Sequence, residues 1–524
     1  MNFSTVDYIV FFGYIALIVF TGLWVSREKK GHQKDSRDYF LASKSLPWWA
    51  IGSSLIASNI SAEQFIGMSG SGFVIGLGIA SYEWMAAITL IIVGKFLLPI
   101  FLKEGIYTMP QFLEIRYDKR VRTSLAVFWL LVYVFVNLTS VLYLGALSIQ
   151  TIMGINMIWG IIGLALFAVA YSIYGGLKAV AFTDVIQVVI LIIGGLLTTF
   201  LALNAISEGQ GIIAGFSQLL EKAPEKFDMI LDVSNPNYKE LPGLSVLIGG
   251  MWIANMFYWG CNQYITQRAL AAKDIKEAQR GIMFAGYLKL LLPVIVVIPG
   301  IAAFVLHQES ANTLRPDEAY PWLLSTFVGS GFRGVAFAAL VAAIVSSLSS
   351  MMNSIATIFS IDIYKQIIKK DAEERSIVTT GRITALISVI VAIIIAPQLK
   401  ALDQAFQFIQ EFTGFVSPGI LSIFLLGLFW KKTSANAALW GAILSIPLSA
   451  TFKYIFPFMP FIDRMGIVFL ILSAVVIIIS VLEAKGDNPK AIKYEKSIFK
   501  TDNVFNITAI VLSAIIGAIY ILFW

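Results

Sequence analysis

The stretch Ser58-Asn59-Ile60-Ser61-Ala62-Glu63-Gln64 decides the fold of this chain, because it places a carboxylate and two carboxamides inside an apolar segment of membrane-crossing length. Polar groups inside a bilayer must find partners within the protein. A membrane helix interrupted by such residues therefore persists where it faces a water-filled cavity or a ligand. The alternative is a polar cluster that only holds helices together, and one interrupted helix leaves both interpretations open.

The composition indicates an integral membrane protein. Of the 524 residues, 58% are hydrophobic and 13% are charged, and the mean hydropathy is +0.81. Soluble domains typically carry about 25% charged residues, so this chain has too few charges to cover a soluble globule of its length. We therefore expect an all-α protein in contact with the lipid bilayer.

Apolar segments of membrane-crossing length recur along the whole chain. A transmembrane helix needs about 20 apolar residues, because the hydrocarbon core of a bilayer is about 30 Å thick. The sequence predicts 14 transmembrane segments: 7–25, 47–70, 78–101, 124–150, 155–173, 181–203, 243–266, 281–306, 334–362, 376–396, 402–429, 435–456, 465–483 and 504–523.

The distribution of positive charge predicts the orientation. Six Lys and Arg residues follow the first segment between Arg27 and Lys44, whereas Met1 to Asp7 holds none, which is atypical of a signal peptide. Basic residues collect in cytoplasmic loops, and later clusters at 103–122, 268–280, 365–382 and 485–500 keep the alternation. An even number of segments places both termini outside, and we expect a multi-pass protein of the bacterial inner membrane.

The reactive residues are too few for most enzyme chemistry. A single cysteine, Cys261, excludes an intramolecular disulfide, and the two histidines, His32 and His307, both fall in predicted loops. Hydrolytic or redox chemistry has no evident residues, so we do not expect an enzyme. The formal charge of +6 follows the loop bias, and without a basic patch interleaved with aromatics we expect no nucleic-acid partner.

A second polar interruption lies around Asn255 in the seventh segment, where Tyr258, Trp259, Asn262 and Gln263 follow closely. The two interruptions are five segments apart. A repeated unit with an odd number of crossings lies inverted relative to its first copy, as in many secondary transporters. The predicted division is residues 1–46 as the first segment and its loop, 47–203 as repeat 1, 204–242 as an outer loop with a short helix near Ile213 to Lys222, 243–456 as repeat 2, and 457–524 as peripheral segments.

Several long motifs make the chain resemble the sodium:solute symporter family over nearly its full length. The motifs run from Asn59 to Gly67, from Tyr174 to Leu177 with Thr183 to Gln187, from Ala343 to Ser347, and from Ser417 to Gly419 with Leu426 to Trp430. The resemblance implies a LeuT-like core of two five-helix inverted repeats, each with a broken first helix. The first segment and the last three would lie outside the repeats.

The resemblance also implies a sodium site between the second and ninth segments, with Na⁺ as the coupling ion. Its ligands would be the carbonyl groups of Ala57, Ile60 and Ala343 and the hydroxyl groups of Ser346 and Ser347. Sodium is a hard cation that takes oxygen ligands, including unwound backbone carbonyls. Taken alone, the two serines would more often be packing residues. Asp184 would lie on the sodium release path, although a buried hydrogen-bond acceptor is an open alternative.

A sugar presents hydroxyl groups that both donate and accept hydrogen bonds, so its site needs polar groups from several helices. By resemblance, these are Gln64, Glu83, Asn255, Lys289 and Gln410. Glu83 and Lys289 could instead form an ion pair that only joins helices. The resemblance further implies an inner gate at Tyr258, held by Asn59 and flanked by Trp259, and an outer gate of Met68, Tyr82 and Phe406.

One departure concerns the third segment, where Ala86 stands in place of a serine in the family's galactose carrier. We expect sodium-coupled hexose symport of the galactose or glucose type, and Ala86 leaves the preferred hexose open. The alternatives are a sodium symporter for another polar solute, such as myo-inositol or an amino acid, and a sugar-gated sensor or channel. The sequence leaves the roles of Glu63 and Lys95 and the oligomeric state undetermined.

Overall fold

A computed structural model of the chain describes residues 4–27, 35–308, 314–401, 405–483 and 486–524. The predicted loop residues Lys29, Lys30, His32 and Lys34, the start of the eleventh predicted segment at 402–404, and the side chain of Tyr174 lie outside the described residues. The described residues form helices and contain no strand beyond one isolated β-bridge between Leu46 and Ala272.

Twelve helices position the candidate site or the surfaces next to it. In chain order they are α1 (Trp48–Asn59), α2 (63–74), α3 (Leu77–Glu104), α4 (Lys119–Met153), α5 (Gly175–Ile206), α6 (Gly250–Gly260), α7 (Gln263–Leu270), α8 (Ile275–His307), α9 (Phe332–Ile368), α10 (Phe406–Gly414), α11 (Ser417–Phe429) and α12 (Asn503–Leu522).

Ten helices of the described ranges are each long and apolar enough to cross a bilayer, and the bent pair α10 and α11 would make an eleventh. They are α3, α4, α5, α8, α9 and α12, together with Thr5–Val25, Glu374–Lys400, Ala435–Ile455 and Phe461–Glu483. The chain is therefore a multi-pass membrane protein. The interrupted helices α1 with α2 and α6 with α7 are too short singly to meet this length.

The first interruption lies where the sequence predicts it. Helix α1 ends at Asn59, and Ile60 is extended with φ −74° and ψ 105°. The Gln64 side-chain oxygen accepts hydrogen bonds from the Ser61 amide at 2.9 Å and the Ser61 hydroxyl at 3.0 Å. The Glu63 amide donates to the same hydroxyl at 3.0 Å. The polar residues of the quoted stretch thus replace backbone hydrogen bonds that a continuous helix would make.

The second interruption lies at the end of the predicted polar run, beyond Asn255. Asn255 lies within α6, where its side-chain nitrogen donates to the Met251 carbonyl at 3.2 Å, so the helix continues past it. The break comes at Cys261 and Asn262. There the Tyr133 hydroxyl donates to the Asn262 side-chain oxygen and accepts from the Gln263 amide at 3.0 Å. A tyrosine of α4 therefore supplies the partners that the open backbone lacks.

Two further comparisons with the predicted segments concern residues 155–222. The loop predicted between the fifth and sixth segments is a kink in one helical run, Met157–Ile206, at Gly176 with φ 65° and ψ −160°. A β-carbon on Gly176 would lie 2.4 Å from the Tyr39 carbonyl oxygen, so glycine fits this approach. The predicted short helix in the long loop is confirmed as Ile212–Lys222.

Near each end of the chain, described residues contact one of the two long loops or the helix start that follows it. The Asp7 carboxylate accepts hydrogen bonds from the amides of Gly331 and Gly334 at 2.9 Å and 2.8 Å. The amides of Met229 and Ile230 donate to the carbonyls of Phe523 and Trp524 at 2.8 Å and 3.3 Å.

Candidate functional site

A small cavity lies beside the break between α1 and α2 and is lined by residues of α1, α2, α3, α6, α8, α10 and α11. All five residues predicted to contact a sugar line it, namely Gln64, Glu83, Asn255, Lys289 and Gln410. The structure therefore brings together side chains that lie up to several hundred positions apart in the chain.

Lys289 is the cationic group of the cavity. Its side chain is 1% exposed, and its ammonium group donates hydrogen bonds to the Glu83 carboxylate and the Asn59 side-chain oxygen. The ammonium nitrogen also lies 4.8 Å from the centre of the Trp259 ring. A charge at this depth requires such compensation. The pair joins α3 to α8 and also lines the cavity, so the two predicted interpretations of this pair are compatible.

Several amide groups of the cavity have hydrogen-bonding capacity left. Asn255 uses its nitrogen for the Met251 carbonyl, and Gln64 uses its oxygen at the break. Among the described residues, neither the Gln64 nitrogen nor either polar atom of Gln410 takes part in a hydrogen bond within 3.5 Å. Donors and acceptors thus face the cavity together, and this pattern suits a neutral solute that carries several hydroxyl groups.

Aromatic side chains close the cavity on two sides. The Asn59 side-chain nitrogen donates to the Tyr258 hydroxyl at 3.1 Å, and the Tyr264 hydroxyl lies 2.6 Å from the same oxygen. On the other side, the rings of Tyr82 and Phe406 meet edge to face, with centroids 5.3 Å apart. These positions match the predicted inner and outer gate residues, and their gating role stays a prediction.

Phe406 is seated on α2 through a very close approach. A β-carbon on Gly67 would lie 2.7 Å from the Phe406 β-carbon, so no larger residue fits there in this arrangement. The third predicted outer-gate residue, Met68, is fully buried beside Gly67 and does not line the cavity.

The predicted sodium ligands lie at the same break, and the two serines have different partners. The Ser347 hydroxyl is 3.1 Å from the Ser58 carbonyl oxygen and 3.4 Å from that of Ile60. The Ser346 hydroxyl donates to the Asp184 carboxylate at 2.6 Å. The other two predicted ligand residues, Ala57 and Ala343, are fully buried in α1 and α9.

Asp184 is a fully buried acceptor that links three helices. Besides Ser346 of α9, it accepts a hydrogen bond from the Ser54 hydroxyl of α1 at 2.5 Å. The Arg268 guanidinium of α7 reaches the same Ser54 hydroxyl at 3.3 Å. Asp184 therefore connects Ser346, one of the predicted sodium ligands, to α1 directly and to α7 through the Ser54 hydroxyl.

The cavity also contains polar residues to which sequence reasoning gave no role. Glu63 lines it, and one oxygen of the Glu63 carboxylate is buried without a hydrogen-bond partner among the described residues. Thr413 and Ser417 line it as well. Thr413 follows Gln410 by three residues on α10, a spacing that places both side chains near one helical face and could have indicated it.

A bundle of apolar helices with two interrupted helices beside a closed polar cavity defines a membrane transporter of small polar solutes. Residues 39–445 match the sodium:solute symporter family, and the chain belongs to this family. The family consists of transporters that take Na⁺ as the coupling ion.

Named relatives include sugar and polyol carriers. The chain is 55% identical to the sodium/glucose cotransporter of Vibrio parahaemolyticus over 99% of this chain and 98% of that protein. It is 31% identical to sodium/glucose cotransporter 4 of Mus musculus, covering 85% of this chain and 68% of that protein. It is also 31% identical to sodium/myo-inositol cotransporter 2 of Oryctolagus cuniculus, covering 83% and 68%.

Two solved structures share the fold. The substrate-bound, outward-open structure of a Na⁺-coupled sialic acid symporter superposes with a TM-score of 0.81 at 25% identity, covering 92% of this chain and 99% of that one. The nucleobase–cation symporter Mhp1 in a closed conformation superposes with a TM-score of 0.56 at 12% identity, covering 89% and 98%. The latter likeness concerns the fold alone.

Proposed function

We propose that this protein carries a hexose of the galactose or glucose type into the cell together with sodium, by alternating access. The observation that carries the proposal is the cavity in which Gln64, Glu83, Asn255, Lys289 and Gln410 converge from five helices. It is supported by the 55% identity, over nearly the full chain, to a protein named a sodium/glucose cotransporter.

In the proposed sugar site the ion pair and the amides make different hydrogen bonds to the sugar. The Glu83 carboxylate accepts from sugar hydroxyl groups, while the amide nitrogens of Gln64 and Gln410 donate to them. Lys289 stays paired with Glu83, so the neutral sugar adds no unbalanced charge to the membrane interior. The carbonyl oxygen of Asn255 remains available, because its nitrogen is used within α6.

In the proposed sodium site the cation lies at the break between α1 and α2. Carbonyl groups of Ala57, Ile60 and Ala343 and the hydroxyls of Ser346 and Ser347 coordinate it. The 3.4 Å distance from the Ser347 hydroxyl to the Ile60 carbonyl supports this arrangement. Ser346 can donate its hydrogen to Asp184, on the proposed release path, and still offer oxygen lone pairs to the cation.

Coupling follows from the shared break. Sodium would fix the backbone around Ile60, and the next turn carries Gln64, whose carbonyl oxygen closes the break on Ser61. An ordered break presents the Gln64 amide to the sugar. Bound sodium therefore raises the affinity for sugar, and bound sugar raises the affinity for sodium by the same factor. One positive charge moving through 100 mV yields about 2.3 kcal/mol, which corresponds to roughly a 50-fold sugar gradient.

We further propose 14 membrane crossings, with inverted repeats at 47–203 and 243–456 flanked by residues 1–46, 204–242 and 457–524. Both termini would face outside across the bacterial inner membrane. The contacts between residues near each chain end and one of the two long loops or the helix start that follows it support this orientation. In a Cys261→Ser background, a membrane-impermeant thiol reagent should label Ser234→Cys in intact cells. It should label Lys490→Cys only after lysis, and the reverse pattern would overturn the orientation.

The function is tested by uptake into proteoliposomes that contain the purified protein. Labelled glucose and galactose should accumulate only with an inward sodium gradient, and unlabelled hexoses should compete. Stronger competition by myo-inositol or an amino acid than by any hexose would favour a carrier for that solute. Sugar binding without accumulation would favour a sensor or channel.

A further inference from the structure

A basic cleft of about 600 Å³ lies at the starts of α8 and α12. It is lined by five lysines, Lys44, Lys103, Lys273, Lys276 and Lys500. All but Lys44 are exposed, and Lys44 is half-buried. Lysines from three separate loops and two helices thus face one concave surface, an arrangement that attracts a polyanionic group.

The two carboxylates that line the cleft both cap the starts of helices. Asp274 accepts a hydrogen bond from the Glu277 amide at 2.9 Å at the start of α8. Asp502 accepts one from the Phe505 amide at 2.8 Å at the start of α12. Each helix start also carries a partial positive charge from its free amides, which the capping aspartate offsets. The two aspartates therefore leave most of the lysine charge without a counter-charge.

An apolar groove of about 460 Å³ continues from the cleft along the same two helices. Its walls include Trp48, Phe284 and Tyr287 on one side and Val504 and Phe505 on the other. Trp48 is 38% and Val504 51% exposed, while Phe505 is buried. From Arg280 to Tyr287 the groove extends along α8 for roughly 10 Å, the depth of the upper part of an acyl chain.

The cleft and the groove meet at one ion pair. The Arg280 guanidinium, which lines the groove, lies 3.6 Å from the Asp502 carboxylate, which lines the cleft. A ligand that fills both must carry negative charge at one end and a hydrocarbon chain at the other.

We propose that the cleft and groove together bind one anionic phospholipid of the adjacent leaflet. Its phosphate-bearing headgroup lies among the lysines, and an acyl chain lies in the groove. Basic pockets between membrane helices at the lysine-rich face are typical sites for such headgroups. A zwitterionic lipid would leave the lysine charge uncompensated, and a soluble anion would leave the groove exposed.

The site is joined to the helices that carry the cavity. Trp48 is the first residue of α1, and its amide donates to the Glu277 carboxylate of α8 at 2.6 Å. Helix α1 ends at the break, and α8 carries Lys289. A lipid that occupies the groove therefore contacts both helices and stabilises their relative position.

The test uses the full-length protein purified in detergent and titrated with phosphatidylglycerol or phosphatidylcholine. Binding is followed by native mass spectrometry and by the thermal unfolding midpoint. Phosphatidylglycerol should remain bound and raise the midpoint, whereas phosphatidylcholine should do neither. The double variant Lys273→Gln/Lys276→Gln should bind phosphatidylglycerol about 30-fold more weakly, since each lysine near a lipid headgroup contributes about 1 kcal/mol.

The matched control is Lys369→Gln/Lys370→Gln, which removes two exposed lysines of another loop. It should bind like the unaltered protein, and both double variants should unfold at the same midpoint without lipid. Equal retention of phosphatidylglycerol and phosphatidylcholine would overturn the proposal. An equal loss of phosphatidylglycerol binding in the two double variants would also overturn it. Stabilisation by inorganic phosphate that matches that by the lipid would also overturn it, because the groove would then contribute nothing.

Discussion

The ammonium group of Lys289 donates a hydrogen bond to the side-chain oxygen of Asn59, the last residue of α1 before the break. The nitrogen of the same Asn59 amide donates to the Tyr258 hydroxyl. One amide therefore connects the cation of the cavity, the interrupted backbone and an aromatic wall. These contacts share one side chain, so a change at Lys289 or Tyr258 would act directly on the last residue before the break.

We predict that the Glu83–Lys289 pair is energetically coupled. Glu83→Gln or Lys289→Met alone leaves one buried charge without its partner and should cost about 3–5 kcal/mol of stability. The double variant should lose much less than the sum of the two single variants, and all three should lose sugar binding. Thermal unfolding of the four proteins forms a double-mutant cycle. Strict additivity would mean that the two side chains are not coupled.

We predict that Ser347→Ala shifts the sodium dependence of uptake to higher concentration and weakens sugar binding. By linkage, the sodium-induced gain in sugar affinity should fall by the same factor as the sugar-induced gain in sodium affinity. Ser148→Ala is the matched control, because among the described residues that buried hydroxyl bonds only the Leu144 carbonyl in its own helix. A sodium curve that stays unchanged in Ser347→Ala would exclude this serine from the site.

We predict that Gln410→Ala and Gln64→Ala each weaken sugar binding by about 1–3 kcal/mol, since a sugar hydroxyl loses its partner in a closed site. Equilibrium binding of labelled sugar to purified variants measures this. Gln407→Ala is the control, because Gln407 is buried on the same helix, does not line the cavity and lies one turn away. Unaltered affinity in both cavity variants would make the two glutamines structural.

We predict that Ala86→Ser changes the ratio of galactose to glucose affinity by up to about tenfold, the range of one neutral hydrogen bond. Ala86 lines the cavity, and the neighbouring Ala87 is buried away from it, so Ala87→Ser is the control. A new hydroxyl gains a bond with one epimer and is desolvated without a partner by the other. Competition by both sugars at one sodium concentration gives the ratio, and a constant ratio would place residue 86 away from the substrate.

Local chemistry was sufficient to predict the first interruption. Ser61 and Gln64 lie three residues apart and bond each other, so the break is encoded within one stretch. The second break could not be located in this way, because its partner Tyr133 belongs to a helix 130 residues earlier. Sequence reasoning therefore indicated only a polar run from Asn255 to Gln263, and the helix accommodates Asn255 through its own backbone.

The candidate site likewise has features that the sequence could predict and features that depend on contacts between distant segments. The resemblance indicated which five side chains could meet, and the cavity contains them all. Ser346 and Ser347 have different hydrogen-bond partners because α1 and α5 pack against α9 at different positions. The periodicity of apolar residues in the sequence does not predict this packing. The packing of Phe406 on Gly67 likewise depends on contact between distant segments.

The location of Cys261 allows opening of the unaltered protein to be followed by chemical modification of this one residue. This residue is the only thiol of the chain, is buried, and lies in the break between α6 and α7. Any motion that separates α6 from α7 exposes the Cys261 sulfur. The rate at which a small alkylating reagent modifies the thiol therefore measures how often these two helices separate. Sodium and sugar then become variables whose effect on this rate can be followed with no label attached and no residue replaced.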